Sequence, residues 1–234
     1  MTCGLTSVTF RQLHYREVIE IARDSGLEGI EWGGDVHAPP GDIALAREIH
    51  RATAQAGLAV LSYGSYYKLG GGEAFAPVLE TALALQAGVI RVWAEGEFKR
   101  AVEDARRIAA MAKAHGITIA FEYHRNTLTE TAEGALSLLE AVNRSNVKTY
   151  WQPNPAISHA QNLAALEAVL PRLEHVHVFH WTRTGRRLPL RDGAARWRDY
   201  LQLARPKAAI LEFVKGDSAA QCARDAGVLR GLCE

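Results

Sequence analysis

ITIAFEYHRN, residues 117–126, is an apolar strand-like run that ends on a carboxylate, Glu122, with a histidine two residues later. AAILEFVK at 208–215 ends the same way on Glu212, and HVHVFHW at 175–181 ends on histidines. In a fold of parallel strands each followed by a helix, groups at the C-terminal ends of strands gather around one mouth. Strand ends carrying Glu, His and Glu therefore point to a metal or acid/base site.

Outward from these runs, the chain alternates β-rich and helical segments. The strand candidates are 3–10, 28–34, 58–64, 89–95, 117–124, 147–153, 175–181 and 208–214. Between them lie segments with apolar residues at three- and four-residue spacing, several ending on glycine: 14–26, 42–57, 75–88, 98–116, 129–143, 162–173, 194–205 and 218–232. Eight strand and helix pairs without a long polar linker predict one α/β domain over 1–234, a closed (β/α)8 TIM barrel, with a doubly wound sheet as the alternative. The loop signals HAPPGD (37–42), LGGGE (69–73) and TRTGRR (182–187) each follow a strand and so fall over the mouth. Gly70, Gly71 and Gly72 read as a flexible connection, since the run lacks the lysine and spacing of a phosphate loop.

Charge and composition narrow the function classes. The 27 Lys and Arg residues nearly balance 26 Asp and Glu, giving a formal net charge of +1 with no long run of either sign. Nucleic-acid binding needs a basic stripe to displace counterions, so no nucleic-acid partner is expected, and no membrane partner. The three cysteines, Cys3, Cys222 and Cys233, form no CxxC pair or zinc spacing. The amino terminus lacks the pattern of a secretory signal, and no apolar run approaches the roughly 20 residues of a membrane span. The expectation is a cytoplasmic protein with a small-molecule, sugar-like substrate, with a homodimer left open as its assembly.

A divalent cation at the mouth needs three or four oxygen or nitrogen ligands from separate strands. Glu122, Gln152, His177 and Glu212 supply such a set from the fifth to the eighth strand candidates. Singly, each has an ordinary explanation as a helix cap, a turn or a hydrogen-bonded core histidine. Their shared position at consecutive strand ends favours a site. Trp32, Trp93, Trp151 and Trp181 also fall near strand ends, where they either close the top of the barrel or pack against a sugar ring.

These residues carry a resemblance. From GLEGIEWGGDVH at 26–37 onward, the chain resembles the sugar phosphate isomerase/epimerase superfamily of xylose isomerase-like barrels, including the D-tagatose 3-epimerase type. The family pattern has a glutamate on a middle strand, here Glu122, an aspartate on the next, here Gln152, and a histidine followed six residues later by an arginine, here His177 and Arg183. A final-strand glutamate corresponds to Glu212. The resemblance implies a divalent cation (Mn, Mg, Co or Zn), catalytic proton exchange by Glu122 and Glu212, and a substrate contact from Arg183. Two positions depart from the pattern: Gln152 lacks the aspartate's charge, and Pro155 stands where a substrate histidine is common. Several histidines invite comparison with the related endonuclease IV branch, which the near-neutral charge and incomplete ligand set oppose. Of these, His37 and His124 are expected to face the mouth as substrate groups, with Trp32, Trp151 and Trp181.

The implied function is a metal-dependent isomerase or epimerase acting on a small sugar or polyol-derived hydroxy-carbonyl compound through an enediolate. The alternatives are a metal-assisted dehydratase of a related keto-polyol and a carbohydrate-binding barrel impaired in catalysis.

Overall fold

Eight strands pair in sequence order, and the eighth closes on the first, all in parallel. The computed structural model describes residues 1–234. The strands are β1 (Thr2–Thr6), β2 (Gly29–Gly33), β3 (Ala59–Lys68), β4 (Val89–Trp93), β5 (Thr118–Phe121), β6 (Val147–Trp151), β7 (Leu173–Val178) and β8 (Ala208–Leu211). The helices that follow them are α1 (Tyr15–Asp24), α2 (Ile43–Gln55), α3 (Ala76–Leu85), α4 (Phe98–Lys113), α5 (Ala132–Val142), α6 (His159–Val169), α7 (Ala194–Ala204) and α8 (Ala219–Cys233). This is the predicted (β/α)8 barrel, and the doubly wound alternative is excluded by closure.

Local chemistry sets the helix starts. His14 and Glu17 form a reciprocal capping box at α1, as Ser158 and Gln161 do at α6, each satisfying amide donors that the first turn leaves without partners. The apolar stripes of the helices then cover the outside of the barrel in a large continuous core that includes Trp32, Trp151 and Trp197. No helix is long and apolar enough to cross a membrane.

The strand ends differ from the sequence expectation in an instructive way. Residues 7–10, expected to continue the first strand, form a 3-10 turn, whereas β3 runs on to Lys68. β5 and β8 stop at Phe121 and Leu211, yet the amides of Glu122 and Glu212 still donate to Val92 and Val178 carbonyls of the neighbouring strands. Both carboxylates therefore start from backbone anchored in the barrel wall.

Candidate metal and acid-base centre

His177 is the pivot of the site. Its Nε2 lies 3.2 Å from Glu31, while its Nδ1 faces Glu212 at 3.5 Å and Glu122 at 3.9 Å. Once His177 is neutral, donation from Nε2–H to Glu31 selects the tautomer that leaves a lone pair on Nδ1. One ligand atom each from Glu122, His177 and Glu212 lies within 4.8 Å of the others, all buried, as a cation of two-ångström bonds requires.

Register explains how distant residues build the surround. Glu31 on β2 pairs with Ser62 on β3, and Ser62 Oγ donates to Glu31 at 2.8 Å. Gly64 on β3 pairs with Arg91 on β4, and a Cβ at Gly64 would meet Arg91 Nη2 at 2.5 Å. The missing side chain makes room for a guanidinium inside the barrel. Arg91 is 1% exposed, donates from Nε to Glu31 at 3.1 Å and from Nη1 to Glu122 Oε2, and lies against the Tyr66 ring. Trp93 Nε1–H donates to the same Glu122 oxygen. Breaking such a buried ion-pair network by removing one member costs about 3–5 kcal/mol, because its partner is left charged and dry.

The electrostatics follow from these contacts. Burial alone would raise the Glu31 carboxyl, but Arg91 and His177 outweigh it and hold it well below the usual range. Burial raises Glu212, which has no hydrogen-bond donor on its side chain and gains only partial relief from His177. Burial would lower His177, yet the charges of Glu212 and Glu31 push it up to about 8.

The residues fit a divalent cation. His177 Nδ1 and Gln152 Oε1 are buried polar atoms without partners; the amide oxygen carries lone pairs, and the imidazole nitrogen has one once its proton is released. With a neutral His177, the charges of Glu31, Glu122 and Glu212 are balanced by Arg91 and a divalent ion.

A mouth cavity of about 400 Å³, within the size range of small-molecule sites, opens beside the cluster. Gln152, Arg183, Glu212, His124 and Trp181 border it, and His124 stacks on Trp93 with ring centres 5.0 Å apart. Three expected substrate residues are placed elsewhere, which corrects the sequence reading. Trp32 is fully buried between Tyr15 and His37, and Trp151 is fully buried against Trp197 and Tyr200 of α7. Both rings fill the layer between strands and helices because their positions point out of the barrel, not up to the mouth. His37 is buried as well, with Nε2 committed to the Leu13 carbonyl.

Sequence reading missed Glu31 and Arg91, although a signal was present. Each is a charge in the middle of a short apolar strand, GIEWG and VIRVW, where only a paired or site-forming charge is tolerated.

A closed barrel with a Glu, His and Glu cluster at its C-terminal mouth defines a class, and residues 19–221 match the family described as xylose isomerase-like TIM barrel. The chain belongs to that family. Its fold is similar to that of the probable 3-DHS dehydratase AsbF from Bacillus anthracis (TM-score 0.84, 20% identity, covering 98% of this chain and 99% of the other). It is also similar to D-psicose 3-epimerase from Clostridium cellulolyticum H10, a structure with D-tagatose (TM-score 0.77, 17% identity, full coverage of both chains at 100%). A xylose isomerase-like TIM barrel protein from Mycobacterium smegmatis in complex with magnesium has TM-score 0.71 and 15% identity, covering 99% of this chain and 96% of the other. No curated protein matches the sequence. Family and structural neighbours are mostly enzymes.

Proposed function

We propose that the protein is a divalent-metal-dependent isomerase or epimerase that moves a proton beside the carbonyl of a small sugar or polyol-derived compound. The observation that carries this reading is the convergence of Glu122, His177 and Glu212 within 4.8 Å at a cavity-lined barrel mouth. Glu122, His177 and Glu212 would hold the cation, with the Gln152 carbonyl oxygen as a further ligand. A bound cation would supply charge stabilisation for the oxygens of an enediolate.

The remaining work falls to this chain's own side chains. Glu212 borders the cavity and accepts no hydrogen bond from a protein side chain, which leaves it placed to take a proton from a substrate there. Arg183 is exposed at the cavity rim, where a guanidinium would orient a hydroxyl, carboxylate or phosphate of the substrate. His124 and Trp181 would form the walls against which the carbon skeleton rests. The structures with epimerase and dehydratase names support proton abstraction next to a carbonyl as chemistry that this fold hosts.

Metal analysis followed by a screen of sugars and sugar acids for solvent-deuterium exchange tests the proposal. Exchange that is abolished by a chelator and restored by added cation is the expected result. Tight binding of a sugar without any exchange would leave a binding barrel instead, and loss of water from the product would identify a dehydratase.

A further inference from the structure

The barrel closes where β8 meets β1, and this seam carries a pair of thiols. Cys3 is the second residue of β1 and pairs with Ala209 of β8, three residues ahead of Glu212. Cys233 is the last residue of α8, which packs over β1. Each helix of the barrel carries the chain back against the direction of its strands, so the end of α8 and the start of β1 lie at the same end of the molecule. Cys3 is buried in the layer between strands and helices, and Cys233 packs against that layer with part of its surface in solvent.

The two sulfurs are hydrogen-bonded to each other. Donation from the Cys3 S–H draws the Cys233 thiol towards its thiolate and pushes the Cys3 thiol up. Burial opposes a thiolate on either sulfur, as does Glu28, whose Oε2 accepts from the Cys3 amide at 2.8 Å. At Cys233 the hydrogen bond outweighs both. A partly exposed thiol of this kind, backed by a buried second one, is the arrangement of a redox-sensitive pair.

We infer that Cys3 and Cys233 are a reversible oxidation site that takes hydrogen peroxide as its oxidant and closes a disulfide across the seam. The Cys233 sulfur attacks one peroxide oxygen, an S–O bond forms as the O–O bond breaks, and the departing hydroxide leaves as water with the Cys233 proton. The Cys3 sulfur then attacks the Cys233 sulfur. The S–S bond forms as the S–O bond breaks, and the second hydroxide leaves as water with the Cys3 proton. Two thiols lose two electrons, the peroxide gains them, and two waters result. Cys222 takes no part, because it is fully buried and burial pushes its thiol up to about 12.

The position gives the bond its consequence. Every other pair of neighbouring strands is joined through a helix of its own, whereas β8 and β1 are held by pairing with each other. A disulfide there closes a loop of nearly the whole chain, where the restriction of the unfolded state is greatest. It would also fasten the strand that leads into Glu212. This chemistry is independent of the reaction proposed above.

Trypsin places the three cysteines on separate peptides, 1–11, 216–224 and 231–234. The purified protein, reduced and then exposed to equimolar hydrogen peroxide, should fall from three titratable thiols to one, with peptides 1–11 and 231–234 joined within a monomer. Dithiothreitol should restore the lost thiols, and the oxidised form should melt at least about 5 °C above the reduced one. Cys3→Ala should stop at a sulfenic acid on Cys233 that a cyclic dione traps, and Cys233→Ser should abolish both the link and the shift in melting. A link through Cys222, a link only between two molecules, or sulfinic acid on Cys233 with Cys3 left free would overturn the pair. Trapping at Cys3 in Cys233→Ser would overturn the order of attack, and an unchanged melting point with the link formed would overturn its role at the seam.

Discussion

Glu31 sits behind His177 as its hydrogen-bond acceptor, 3.2 Å from Nε2, and never reaches the mouth cavity. A carboxylate in that position aims the imidazole and makes its other nitrogen a better donor to a cation. Glu31→Gln should therefore weaken metal binding by about 10–100-fold, the range usual for losing such a partner. Calorimetric metal titration of the folded variant checks this, and unchanged affinity would mean that His177 is not a ligand.

The two glutamates give separable outcomes. Glu212→Gln should lower deuterium exchange by at least about a hundredfold, the lower end for a lost general base. Its fold should persist, because the substitution removes a buried carboxyl that is already disfavoured in its charged form. Glu122→Gln should instead lower thermal stability, since the buried Arg91 loses one of its two carboxylate partners. Thermal unfolding of both variants beside their exchange rates distinguishes the roles.

A dependence on pH follows from His177. Burial lowers its affinity for a proton, but the charges of Glu212 and Glu31 prevail and leave the imidazole at about 8 in the metal-free protein. Ligation through Nδ1 needs that proton gone, so metal affinity should rise by up to about tenfold per pH unit below 8 and flatten above it. For stability the sign is opposite: the protonated pair stabilises the metal-free fold fully below the unfolded value of 6.5, and that contribution is lost as pH rises through about 8. Titrations in buffers of different ionisation enthalpy would report the released proton directly. An affinity flat across this window would reject the assignment.

Gln152→Asp tests the departure from the family pattern. An added negative charge beside the cation should tighten metal binding, with part of the gain lost to repulsion from Glu122 and Glu212 before metal enters. Calorimetric titration decides it, because unchanged affinity in a folded variant would leave three protein ligands.

How much of this was legible in the sequence depends on which side of a strand a residue occupies. Glu122, His177 and Glu212 were readable because a polar group closes an apolar run, and the barrel places all strand ends at one mouth. The wrong tryptophans were read by the same logic. Trp32 and Trp151 also end strands, but the period-two alternation sends them outward to the helices, and an all-buried strand hides that alternation. The Arg91 ion-pair network was hidden for a different reason. It depends on the register that sets Gly64 beside Arg91, and register between strands separated by a helix leaves no local trace.

Gly64→Ala would place a methyl 2.5 Å from the guanidinium in its present position. Overpacking of this kind costs about 1–3 kcal/mol, so chemical denaturation should show a loss of that order. A wild-type denaturation curve would show that the side chain of Arg91 can settle elsewhere.

The void above Gly64 also acts as a marker of descent. An arginine within a barrel strand says that it is paired but not with what, and a glycine there says less. Found together on adjacent strands at paired positions, they amount to a lock and the hollow cut for it. Loss of either would remove the reason to keep the other. Among barrels with the same mouth glutamates, the glycine and the arginine are expected to be kept or lost together.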